Sequence, residues 1–153
     1  MAVSNYAPLF TGAAPAENAP AAERPANTGY RILLVDDEPN VLKALQRVFR
    51  QENYEVVTVA SGQEALALLR KEIFHLIISD YMMPGMTGAE LLKQVKALKP
   101  ETIRIMLTGH ADTGAVMGAI NEGAVYKFIL KPWNDDELRV TVALPLQHRW
   151  LIG

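Results

Sequence analysis

From residue 30 onward, short apolar runs alternate with stretches whose apolar residues recur every three or four positions. Ile32-Leu33-Leu34-Val35 reads as a strand, and Val41, Leu42, Leu45, Val48 and Phe49 then fall at helical spacing, which predicts a helix over 39–51. A second strand is expected over 54–59. Ser61 and Glu64 have the spacing of a capping box opening a helix that carries Ala65, Leu66, Leu68 and Leu69. The third strand spans 74–79 and runs into Asp80. Thr87 and Glu90 supply a second capping box, for a helix that ends near Leu98 ahead of Pro100. A fourth strand over 103–107, a helix over 112–121 closed by Gly123, and a fifth strand over 125–130 follow. Asn134 and Glu137 repeat the capping-box spacing for a last helix that reaches at least Ala143, with Pro145 expected to kink or end it.

Strands that alternate with helices imply a parallel sheet covered on both faces. Right-handed crossovers leave few arrangements. A doubly wound α/β sheet in the order 2-1-3-4-5 is the expectation, an order taken from known sheets of this kind.

Residues 1–29 break the pattern. They are crowded with Ala and Pro, as in Ala13-Ala14-Pro15-Ala16 and Ala19-Pro20-Ala21-Ala22, and have no apolar period. Proline interrupts helix and sheet, and alanine buries too little to offset chain entropy, so a disordered leader is expected. A partner-binding arm through Tyr6 or Phe10 is the alternative. The domain proper is assigned to 30–144, and 145–153 to a tail or the start of a linker helix. Trp150, Leu151 and Ile152 in that tail would suit a dimer or partner contact, or simply fray.

Composition narrows the classes. The 153 residues fit one domain, and 50% are hydrophobic, enough for a substantial core. A formal charge of -2 and a pI near 5.9 leave no basic surplus for a nucleic acid backbone. The absence of cysteine excludes disulfides and thiolate zinc sites. Apolar runs such as Leu76-Ile77-Ile78 fall far short of the ~20 residues that cross a bilayer. The first residues lack the basic segment and apolar core of a signal peptide. A soluble cytoplasmic protein without membrane or nucleic acid contacts is expected.

The chemistry is concentrated where strands end. In a doubly wound sheet, ligands bind beyond the carboxyl ends of the strands, where the winding reverses. Asp36 and Asp37 end the first strand, Asp80 the third, Thr108 the fourth and Lys131 the fifth. With the first and third strands adjacent, the three aspartates converge, and carboxylates that close need a cation. Mg²⁺ suits an all-oxygen set, and Lys131 adds positive charge across the pocket. Such a site is poised for phosphoryl transfer, with Asp80, alone at the centre of the sheet, as the nucleophile candidate. A lone Asp or Thr at such a place is ordinarily a cap or turn residue; the convergence of several argues for a site.

Four segments carry a family resemblance: Val35-Asp36-Asp37-Glu38-Pro39, Ser79-Asp80-Tyr81-Met82-Met83-Pro84-Gly85-Met86-Thr87-Gly88, Leu107-Thr108-Gly109-His110 and Leu130-Lys131-Pro132. In order and at strand ends, they resemble the receiver domain of two-component response regulators over roughly 31–143, with its flavodoxin-like fold. The resemblance implies that Asp80 accepts a phosphoryl group from a sensor histidine kinase or phosphotransfer protein. It implies that Asp37 and Asp80 ligate Mg²⁺ directly, with the Met82 backbone carbonyl, and Asp36 mainly through water. Lys131 would pair with phosphoryl oxygens. Thr108 would bond one of them and shift the following loop, and Phe128 would be the aromatic switch residue. The Lys131-Pro132 bond would be cis. Met82 and His110 would flank the path of hydrolytic water, and apolar Met82 implies a long-lived phosphoryl group.

The run from Val125 to Arg139 resembles receivers that precede HD-type phosphodiesterase domains or those of hydrogenase-type regulators. The output face is expected to combine the fourth helix, the fifth strand and the last helix, and to bind a downstream protein or a second copy. Ala115, Val116, Ala119 and Ile120 could line part of it, although their spacing also fits a core-facing stripe. Two rivals remain at this level. One is a receiver-like interaction module that works without phosphorylation. The other is a Mg²⁺-dependent phosphatase of haloacid dehalogenase type, which needs two aspartates separated by one intervening residue, whereas Asp36 and Asp37 are adjacent. A nucleotide-binding protein would need a glycine-rich loop after the first strand, and none is present.

Overall fold

The computed structural model describes residues 29–109, 114, 117–118 and 122–148. Its strands are β1 (Arg31–Val35), β2 (Glu55–Val59), β3 (Leu76–Asp80), β4 (Ile103–Thr108) and β5 (Lys127–Leu130). Its helices are α1 (Pro39–Phe49), α2 (Gly62–Lys71), α3 (Gly88–Leu98) and α4 (Asp135–Leu146). The five strands form one parallel sheet, as the alternation of apolar runs and helices leads one to expect, in the order β2-β1-β3-β4-β5 expected from known sheets of this kind. The helix expected over 112–121 is described only at Gly114, Met117 and Gly118, which are helical. His110, Ala115, Val116, Ala119 and Ile120 lie outside the described residues, as do the leader up to residue 28 and Trp150, Leu151 and Ile152.

Successive side chains of a strand point to opposite faces, so a strand buried on both reads as a continuous apolar run. Leu33, Val35, Ile77 and Met106 enter a core closed by Leu66 and Leu69 of α2 and Leu91, Leu92 and Val95 of α3. Ile32, Leu34, Leu76, Ile78, Ile105 and Leu107 enter the opposite core, closed by Leu45, Val48 and Phe49 of α1 and Leu138, Val142 and Leu146 of α4. Trp133 packs against this second core.

The helix starts differ in detail from their sequence signatures. The Thr87–Glu90 capping box closes completely. At α2 the Ser61 hydroxyl accepts from the Glu64 N–H, but the Glu64 carboxylate accepts from the N–H of Ala60, not of Ser61. At α4 Asn134 accepts from the Glu137 N–H, without a recorded return bond. A reciprocal bond requires a particular Glu rotamer as well as the right spacing, and spacing is all a sequence shows. Pro145 does not end α4: the helix continues to Leu146, and both residues are buried. The buried apolar surface offsets the backbone bond that proline cannot donate.

At the opposite edge of the sheet from the strand ends that carry the aspartates, His75 Nδ1 accepts the backbone N–H of Arg31 at 2.9 Å. Burial first, and the Arg31 charge second, hold the imidazole below its ordinary pKa of 6.5. Below pH 6.5 the unfolded chain therefore binds a proton that the folded chain refuses, and stability falls as pH falls through that value. Urea unfolding at pH 7.5 and 5.5 should show wild type losing more stability on acidification than His75→Asn, which keeps an acceptor but cannot titrate. An equal loss in both would contradict the assignment.

Candidate functional site

Parallel strands start at one edge of the sheet and finish at the other, so residues that end neighbouring strands meet. Asp36 follows β1, Asp80 ends β3, Thr108 ends β4 and Lys131 follows β5. The sheet brings the three aspartates together: ligand oxygens of Asp36, Asp37 and Asp80 all lie within 4.8 Å of one another. Lys131 Nζ stands 2.5 Å from Asp80 Oδ1 and 3.6 Å from Asp36 Oδ2.

The aspartates are not equivalent. Asp36 is 1% exposed and Asp80 6%, whereas Asp37 is exposed. Asp36 Oδ1 accepts the Glu38 N–H at 2.8 Å, one residue before Pro39 opens α1. That bond ties the carboxylate to the loop and supplies the local order that the uncapped Glu38 side chain does not. Asp36 Oδ2 is buried without a hydrogen bond, because the Lys131 ammonium is too distant to make one. An orphaned carboxylate oxygen beside two further carboxylates is a donor set that a hard divalent cation fits, and Mg²⁺ in particular.

The electrostatics follow from burial. Desolvation, reinforced by the Asp80 and Asp37 charges and opposed by the Glu38 N–H and Lys131, pushes the Asp36 carboxyl up to about 6. Burial also works against the Lys131 charge, but the bond to Asp80 and the fields of Asp80, Asp36 and Glu38 outweigh it, so the ammonium is held above its ordinary range.

Thr108 is buried, and its hydroxyl donates to the Gly109 carbonyl at 2.8 Å. Its own carbonyl accepts the Lys131 N–H at 2.9 Å, so the ends of β4 and β5 are joined directly behind the site. Phe128 pairs with Met106 across the strands and is partly buried against the α2–α3 core. Met82 is 63% exposed. The Lys131–Pro132 peptide bond is cis. The sequence reading assigned no role to Ser79, whose fully buried hydroxyl donates to the Asp80 carbonyl at 3.0 Å. The signal was there: Ser79 is the one hydroxyl in an apolar run, directly before the central Asp.

Residues 32–143 match the response regulator receiver domain family. This chain belongs to that family. The receiver is 40% identical over 122 residues to the hydrogenase transcriptional regulatory protein HoxA of Cupriavidus necator, an alignment covering 80% of this chain and 25% of that protein. The chain thus spans about a quarter of the length of that curated relative. A solved structure from Neptuniibacter caesariensis superposes with a TM-score of 0.78 at 35% identity, covering 82% of this chain and 93% of the other. The signal receiver domain of an HD domain-containing protein from Pseudomonas fluorescens gives 0.74 at 36% identity, covering 78% and 88%. The receiver is thus a signalling domain of two-component systems, with the acidic pocket at which such domains bind Mg²⁺. Among the described residues, no helix is long and apolar enough to cross a membrane.

A carboxyl whose folded pKa lies above its unfolded value opposes folding once it ionises. Its penalty grows as pH rises from the unfolded value toward about 6 and is complete above that. In metal-free buffer at pH 7.5, Asp36→Asn should therefore stabilise the receiver by about 2–3 kcal/mol in urea unfolding. The gain should vanish near pH 4, and a destabilised variant at pH 7.5 would refute this account of the site.

Proposed function

We propose that this receiver takes a phosphoryl group onto Asp80 from a phosphohistidine of a sensor histidine kinase or phosphotransfer protein, and thereby switches a partner-binding face. The observation that carries the reading is the placement of Asp80 within reach of the Lys131 ammonium and inside an aspartate cluster that a divalent cation fits. Attack of an Asp80 oxygen on phosphorus forms the acyl phosphate bond as the phosphorus–nitrogen bond to histidine breaks, and the electron pair leaves with the imidazole. Asp37, Asp80 and the Met82 carbonyl would hold Mg²⁺ directly, and Asp36 would act on it mainly through water. Mg²⁺, when bound, draws charge from the transferring oxygens and relieves repulsion among the carboxylates. Lys131 exchanges part of its contact with Asp80 for a phosphoryl oxygen.

Thr108 carries the signal onward. Its hydroxyl leaves the Gly109 carbonyl for a phosphoryl oxygen, the segment after β4 follows, and Phe128 turns further inward. The exposed apolar side chains Tyr126 and Leu130 around β5, Val140 and Leu144 on α4, and Met117 support an output face there for a downstream protein or a second copy. Residues 1–29 serve as a leader outside the receiver. The reading implies a cytoplasmic location, where a kinase presents its phosphohistidine, and no turnover beyond the domain's own phosphorylation and slow dephosphorylation.

Acetyl phosphate with Mg²⁺ should add one phosphoryl group by mass, with no addition in Asp80→Ala and none without the metal. Steady phosphate release from small phosphoesters would point to a phosphatase instead. Equal partner binding by wild type and Asp80→Asn would point to an interaction module that ignores phosphorylation. Met82→Asn should lose its phosphoryl group several-fold faster than wild type; an unchanged or slower decay would show that residue 82 does not govern hydrolytic water.

A further inference from the structure

The start of α3 lies against the backbone of the acceptor. The Gly88 N–H donates to the Tyr81 carbonyl at 2.8 Å. A Cβ at position 88 would overlap the Asp80 carbonyl oxygen and lie 3.0 Å from both the Asp80 carbonyl carbon and Tyr81 Cα. These atoms all belong to the main chain of the central strand and its exit, so none can swing aside. By contrast, a Cβ at Gly62 would meet only the flexible Met86 side chain. The Ser79 hydroxyl binds the same Asp80 carbonyl, so the peptide after the acceptor is held from two directions. Further along, Leu91, Leu92 and Val95 anchor α3 in the core, which prevents the helix from backing away.

From these contacts we propose that the first turn of α3 is a positioning element for the acceptor. Gly88 and the Thr87–Glu90 capping box set where the Asp80 carboxylate stands relative to Asp36, Asp37 and Lys131. Neither Thr87 nor Gly88 is assigned a contact with metal or phosphoryl group; both act through the Asp80 main chain. The inference rests on the reading of Asp80 as acceptor and metal ligand. The site has little slack: Lys131 meets Asp80 at 2.5 Å, and the ligand oxygens share a span of 4.8 Å. Mg²⁺ demands near-ideal octahedral geometry, so a displacement of the Asp80 backbone by a few tenths of an ångström is felt as lost affinity.

The chain offers a built-in control. Thr87 and Ser61 make the same cap, a hydroxyl accepting from a Glu N–H at 3.1 Å, but Thr87 adjoins Gly88, which abuts the Asp80 main chain, whereas Ser61 adjoins Gly62, which faces the Met86 side chain. Mg²⁺ affinity of the full chain would be measured by calorimetric titration, and phosphorylation by the rate of labelling with acetyl phosphate, well below the thermal midpoint. Gly88→Ala should weaken Mg²⁺ binding at least about tenfold and slow labelling in proportion. Thr87→Ala should weaken Mg²⁺ binding about threefold or more, with Thr87→Ser restoring it, while Ser61→Ala should lower the thermal midpoint comparably and leave affinity within about twofold of wild type. If Gly88→Ala does not fold, the Thr87 and Ser61 variants decide the matter alone. Wild-type affinity in Thr87→Ala, or equal weakening in Ser61→Ala, would overturn the proposal. Failure of wild type itself to bind Mg²⁺ and accept the label would instead overturn the acceptor reading beneath it.

Discussion

Charge crowding at one rim of the sheet governs this domain. Among the described residues, three carboxylates share a space of less than 5 Å, two of them are buried, and one ammonium answers them. One positive charge cannot satisfy three negative ones: Asp36 keeps an oxygen without a hydrogen bond, and burial first, with the Asp80 and Asp37 charges after it, pushes its pKa up. The receiver is therefore built around an acidic cluster that could hold a cation, and the rest of the fold must sustain its local cost.

It sustains the cost through an apolar sheet buried on both faces. Fully enclosed strands such as β3, with every residue buried, give Asp80 a rigid platform at the centre of the domain. Around the platform, the polar links are short and local. Asp36 is tied to Glu38, Ser79 to the Asp80 carbonyl, and the Lys131 backbone to that of Thr108. The last of these joins the residue that pairs with Asp80 to the residue proposed to sense its charge. Under the proposed function, a change in charge at Asp80 would act on two strand ends that this hydrogen bond links.

Much of this was legible in the chain itself. Runs such as Ile32 to Val35 revealed the two-faced strands, because burial on both sides leaves no room for alternation, and Asp80, Thr108 and Lys131 stood out as polar residues where those runs stop. Thr87 followed by Glu90 revealed the start of α3. Less was legible where the outcome depends on a rotamer or on surroundings. The boxes at Ser61 and Asn134 had the right spacing without the full bond pattern, and Pro145, a helix breaker by type, remains inside α4 because its ring is buried. Gly88 read only as the end of a motif segment, and its closeness to the Asp80 main chain depends on the folded structure.

The amino-acid order by itself determined the element succession, the parallel sheet and which polar residues stand at the strand ends as candidates for chemistry, since periodicity and strand-end polarity are local properties of the chain. Only the tertiary structure decided which carboxylate oxygen is left without a hydrogen bond, how closely Lys131 approaches Asp80, and that the first turn of α3 touches the Asp80 backbone. Those facts depend on distances between segments far apart in sequence, and such distances exist only once the sheet has assembled and both cores have closed.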